Sequence, residues 1–242
     1  MGENGILLIF IGFAILAGVL GYYAHKAEQK RKEELFLFAT RHGFQYFPER
    51  VRISADFFGL FGGGDSGGNP VSEMEGFRPF GTGDSRQYYN WITGVEGGKR
   101  WDFFDYQYST GSGKNRTTHH YGIATVVLPM AFMPFQMRPE TAFDRIGHAF
   151  GLKDIQFELE EFNRRYSVRC EDAQFAYNIV DPQMMDYLMS IPGYDWQFAG
   201  MRCVIAFSSG ASGTQLERVM QDVNGFYDRI PEFVKRDFGA RS

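Results

Sequence analysis

The chain has 242 residues, 44% of them apolar and 22% charged, with a formal net charge of −4. Those values fit one domain of about 200 residues or two smaller ones, and they exclude collagen-like, disordered and disulfide-stapled classes. A nucleic-acid binder would carry a basic surplus on one face, and this chain is mildly acidic.

Cys170 and Cys203 are the two cysteines, a usage that suits a reducing compartment, or at most one bridge. The aromatic content is unusual: 25 Phe, 13 Tyr and 3 Trp make 17% of the chain. It calls for a large core, a large interface, or both.

In chain order, Ile6–Ala24 comes first, a run of 19 residues without a charge. As a helix it would be about 28 Å long, close to the hydrocarbon thickness of a bilayer. Tyr22 and Tyr23 close it at the depth of an aromatic belt, and Lys26, Lys30, Arg31 and Lys32 follow as interfacial anchors. No Lys or Arg precedes the run, and the poor cleavage sequence argues against a signal peptide. The positive-inside rule then predicts a span in a bacterial cytoplasmic membrane, with the N-terminus outside and the rest cytoplasmic. Ala14, Ala17, Gly18 and Gly21 share one face of this helix and would admit another transmembrane helix or a second copy.

The chain thus divides into an N-terminal segment 1–24, a juxtamembrane stalk helix 25–43 and an α+β domain 44–242. The stalk stops at Gly43 and docks through Leu35, Phe36, Phe38 and Ala39. Residues 59–70 hold six glycines in their first ten positions and read as a flexible loop. Tyr88–Val95, Arg100–Tyr108 and Thr117–Leu128, rich in aromatic and β-branched residues and separated by glycine turns, predict an antiparallel meander. Asn69–Phe80 could add an edge strand.

Beyond Pro129 the pattern is mixed. Pro139–Phe150 predicts a helix, Arg165–Cys170 a strand, and Asp172–Val180 and Pro182–Ser190 two short helices. Asp195–Ala199 and Met201–Ser208 read as a hairpin across Gly200. Leu216, Val219, Met220, Val223, Phe226 and Ile230 recur at helical spacing up to Pro231. The expected fold class is α+β, an N-terminal transmembrane helix followed by an antiparallel meander with packed helices.

No catalytic constellation emerges. Gly64-Asp65-Ser66-Gly67-Gly68 matches the nucleophile signature of trypsin-like serine proteases, but only His25 and His42 precede it. Gly111-Ser112-Gly113-Lys114 fails the phosphate-loop spacing. His119 and His120 are neighbours on a predicted strand and face opposite sides, so they do not make a metal pair. Glu158, Glu160 and Glu161 with Arg164 and Arg165 read as a solvated turn laced with ion pairs. No metal, cofactor or enzymatic activity is expected.

The stretch Phe157–Asp172, continuing through Ala176 to Pro182–Met185, resembles a motif of uncharacterised bacterial membrane-anchored proteins. Trp101–Tyr108, with the Gly-Ser turn after it, fits the same pattern, and the similarity extends over Phe77–Val234. That resemblance implies an architecture only, since the family brings no activity and no catalytic residues. The resulting expectation is a non-enzymatic accessory or assembly subunit that stabilises a larger membrane complex, for instance a photosynthetic or respiratory one. Its partners would be the lipid bilayer and transmembrane proteins, with no nucleic acid. The alternative is a membrane-anchored domain that senses a small ligand or lipid.

Overall fold

The structure is a computed structural model that describes residues 3–53, 69–72, 74, 76–140 and 152–238; the side chains of residues 3–11 and 14 also lie outside the description. The Gly-rich loop, the protease-like pentapeptide and the helix expected from Pro139 to Phe150 therefore fall outside the described residues, apart from their edges.

Helix α1 runs over Glu3–His42 without a break. It ends where Gly43 takes a left-handed φ of 67°. Phe44 N–H donates to Ala39 O at 2.8 Å and Gly43 N–H to Thr40 O at 3.2 Å, a complete Schellman closure. Leu35, Phe38 and Ala39, spaced to share one face, are buried, whereas Phe36 projects from the docking face and is 57% exposed.

The placement in a bacterial cytoplasmic membrane is overturned: among the described residues no helix is long and apolar enough to cross a membrane. The described side chains of the apolar run start at Gly12, and the stretch from there to Ala24 is interrupted by Gly18 and Gly21 and closed by two tyrosines. A span needs about 20 consecutive, predominantly apolar residues.

One antiparallel sheet follows. Its strands are β1 (Gln45–Phe47), β2 (Val51–Arg52), β3 (Asp84–Glu96), β4 (Lys99–Thr110), β5 (Thr117–Pro139), β6 (Lys153–Ile155), β7 (Tyr166–Cys170) and β8 (Asp195–Ser208). The described strands run β1-β3-β4-β5-β7-β6, with β2 beside β3 and β8 beside β5. The expected meander is β3-β4-β5. Asn69–Phe80 forms turns rather than an edge strand over its described residues.

Two differences from expectation share one cause. β5 continues past Leu128 to Pro139, and Asp195–Ser208 is one strand rather than a hairpin. Both halves of β8 pair with β5, Tyr121 opposite Ser208 at one end and Met137 opposite Trp196 at the other, with register shifts around Phe132. Gly200, at φ 55°, bends β8 without reversing it.

The described helices after β5 are α2 (Glu160–Arg165), α3 (Ala173–Ile179), α4 (Pro182–Ser190), α5 (Gly213–Arg229) and α6 (Glu232–Phe238). The charge cluster read as a solvated turn is α2, a short helix. Asp172 and Asp181 cap α3 and α4, and Ser212 with Gln215 closes a capping box on α5. These helices bury Phe175, Leu188, Val223 and Phe226 in the larger core, which also takes the α1 face. A second cluster around Tyr88, Phe104, Tyr106 and Ile123 is covered by Val71, Met74 and Phe80. Both cysteines are free and buried.

Polar contacts fix α1 to the sheet. Arg31 Nη2 donates to the buried Asp105 Oδ2 at 2.7 Å and Arg31 Nε to Ala211 O at 3.1 Å. Asn90 Nδ2 donates to the same carboxylate oxygen at 2.8 Å. Asn90 sits at φ 52° in an irregularity of β3, a conformation that asparagine tolerates better than most residues. Tyr46 Oη–H donates to Asn90 Oδ1, and burial pushes the tyrosine hydroxyl up to about 12. Gly213 lets α5 approach closely, since a Cβ there would lie 2.9 Å from Glu34 O and 3.0 Å from Phe38 Cβ. Removing Arg31 leaves Asp105 buried without its counter-charge, a loss of roughly 3 kcal/mol. In urea denaturation Arg31→Ala should show that loss, and Arg31→Ala with Asp105→Asn should recover much of it; equal stability of Arg31→Ala and wild type would contradict the role given to this pair.

Candidate functional site

The bend in β5 and β8 makes the site. In a straight strand Tyr121 and Arg138 would stand roughly 56 Å apart. Here both line one cavity, together with Asp195 and Ser208 from the two ends of β8. The cavity has a volume of about 370 Å³. Arg78, Pro79 and Thr82 cover it from the segment before β3, and Pro139 and Gly193 complete one wall.

Its polar centre is Asp195. Arg138 Nε lies 3.3 Å from Asp195 Oδ2. The other oxygen, Oδ1, is buried and has no hydrogen-bond partner among the described residues. Burial raises the carboxyl to about 6, and the attractions of Arg138 and Arg78 only partly oppose it. Desolvation, and then repulsion from Arg138, lower the Arg78 guanidinium. Gln197 brackets the Arg78 backbone: its Oε1 accepts from Arg78 N–H and its Nε2 donates to Arg78 O, each at 2.8 Å. Gln197 is itself buried, so the cavity roof is held from beneath.

Aromatic side chains supply the walls. Tyr108 and Tyr121 stack with centroids 5.9 Å apart and planes 1° from parallel. Phe207 lies over Gly122 so closely that a Cβ there would sit 2.3 Å from the ring. Glycine at that position keeps the ring flat beside the cavity. His120 lines the cavity, whereas His119 hydrogen-bonds Thr110 at 2.8 Å and stacks on Tyr108.

The residues singled out at the N-terminus lie elsewhere. Ala17, Gly18, Gly21, Tyr22, Tyr23, Lys26 and Lys30 are exposed on α1, Lys32 is half-buried, and the Ala14 side chain is outside the described residues. Among the described residues nothing outside the helix's own backbone stands within 4 Å of the Cβ positions at Gly18 and Gly21. Arg31, expected among the interfacial anchors, turns into the domain to meet Asp105. Among the described residues no group of three His, Cys, Asp or Glu side chains could hold a metal ion. Asp195, Arg138, Arg78 and Gln197 gave no local motif, because Arg78 and Gln197 meet across 119 positions of chain. The one cue is an acidic residue, Asp195, opening a strand that is mostly apolar and aromatic.

This fold has a solved counterpart. The crystal structure of the mycobacterial trehalose monomycolate transport factor A, TtfA, superposes with a TM-score of 0.53 at 14% identity. The match covers 82% of this chain and 94% of that one, so the two share an architecture. No family model and no curated protein matches the sequence.

The Asp195 carboxyl has a linked stability effect. Its native value lies above its ordinary 3.8, so the folded state holds the proton more tightly than the unfolded chain. The protonated form's contribution is fully present below about pH 4 and is lost as pH rises through about 6. Asp195→Asn should therefore be more stable than wild type at pH 7, by up to about 3 kcal/mol. The gap should close near pH 4; chemical denaturation between pH 4 and pH 7 checks both statements.

Proposed function

We propose that this chain is a non-catalytic binding domain that holds a small ligand in the cavity between the two ends of the β5–β8 ladder. One observation carries the reading: a cavity of about 370 Å³ has aromatic walls and the Arg138–Asp195 ion pair in its lining. Ligand sites begin at about 300 Å³ and combine apolar walls with a few polar groups. Asp195 is tied to Arg138 rather than orienting a histidine, which suits recognition better than acid–base chemistry. A carrier role fits the architectural likeness to TtfA, which is named as a transport factor.

Native mass spectrometry of the purified full chain tests this. The wild type should carry a small-molecule adduct that is released on denaturation. Thr82→Trp, which puts a bulky ring on the cavity lining, should carry none. A wild-type protein at the bare chain mass would contradict the proposal.

A second reading, an accessory subunit that docks through α1, is favoured by the exposure of Phe13, Ile15, Leu16, Val19 and Leu20. Photo-crosslinking from Leu20 in cells should then capture one discrete partner, and the absence of any crosslink would contradict it.

A further inference from the structure

The contacts around the cavity narrow the ligand. We infer that the cavity takes an uncharged ligand carrying an aromatic ring, held by surface contact rather than by a charge. The inference rests on the binding reading above and adds the chemical class.

The charged groups of the lining are already engaged. Arg138 is paired with Asp195, and Arg78, Arg138 and Tyr121 all have partners within the chain. A charged ligand would have to compete for guanidiniums that are taken. Desolvation also works against both signs of charge here. It is the largest influence on Asp195, where it raises the carboxyl, and on Arg78, where it lowers the guanidinium. A carboxylate or an ammonium group brought into the cavity would meet the same cost.

What the lining leaves accessible is in part apolar. Phe207 and Pro139 are half-buried walls of the cavity. The Phe207 ring is fixed, since it lies over Gly122 and meets Tyr194 edge to face with centroids 6.4 Å apart. Gly193 leaves the Pro139 ring clear, because a Cβ there would lie 3.0 Å from Pro139 Cγ. A flat ring seated against Phe207 gains aromatic contact beyond the apolar area it buries, and a saturated ring lacks that gain. Ser208 and Ser209, exposed on the same lining, accommodate a neutral polar substituent.

The test uses the full chain at neutral pH with four probes of similar size: benzyl alcohol, benzoate, benzylammonium and cyclohexylmethanol. Backbone amide resonances of Gly193 and Ser208 report on the cavity. Benzyl alcohol should shift both saturably, with a dissociation constant on the order of millimolar, as expected for so small a ligand. Benzoate and benzylammonium should bind roughly tenfold more weakly, and cyclohexylmethanol about threefold more weakly. Phe207→Leu, which keeps an apolar wall without the ring, should erase the preference for benzyl alcohol over cyclohexylmethanol. Thr82→Trp should abolish the binding of both, whether or not the Phe207 variant folds. Tighter binding of either charged probe, a preference for the saturated ring, or a preference unchanged in Phe207→Leu would overturn the ligand class. The adduct seen by mass spectrometry, and with it the binding reading, would then still stand. Amides unmoved by all four probes, or binding that survives Thr82→Trp, would likewise overturn the inference.

Discussion

The architecture depends on a strand pair that bends back on itself. β5 carries β4 and β7 on one edge and β8 on the other, so every displacement of β5 is felt by three neighbours. Register shifts around Phe132, the exposed Pro129 and Pro134, and the left-handed Gly200 opposite them release the pairing where the ladder must turn. On either side of the turn the pairs are regular. That combination brings residues far apart in sequence to one cavity and keeps them on rigid elements. A binding site built on paired strands is held in place by the same hydrogen bonds that hold the fold.

Two carboxylates, Asp105 buried and Asp195 half-buried, show how differently one chemistry can be used. Asp105 is satisfied from three directions, by Arg31, Asn90 and the Gly210 N–H at 3.4 Å, and its role is to seat α1 on the sheet. Asp195 has Arg138 Nε 3.3 Å from its Oδ2, and the attractions of Arg138 and Arg78 only partly offset its desolvation. That shortfall lowers stability at neutral pH, where the carboxyl is ionised.

How much of this was legible depended on the distance over which each feature is encoded. The α5 helix was plain because its apolar spacing and Pro231 stop are local. The Gly43 stop and the β3–β5 meander were equally readable. Gly200 suggests a hairpin because a glycine between two apolar runs resembles a turn. Only the partner strand reveals that both runs face the same neighbour. Pro129 suggested that β5 should end, since proline cannot donate to a ladder, yet it sits at the irregularity where no donor is needed. The apolar N-terminal run suggested a membrane span, but its described part passes too soon into glycines, tyrosines and charge. The cavity could not be seen at all, because its polar groups come from three segments joined only by the bend.

The central claim is that the bend of the β5–β8 ladder desolvates the Asp195 carboxyl in the wall of a cavity, more than Arg138 and Arg78 offset. Carboxyl carbon NMR of the full chain, titrated with pH, reads that group directly. The account predicts an apparent value near 6. A carboxyl that titrates near its ordinary value of 3.8 would contradict it.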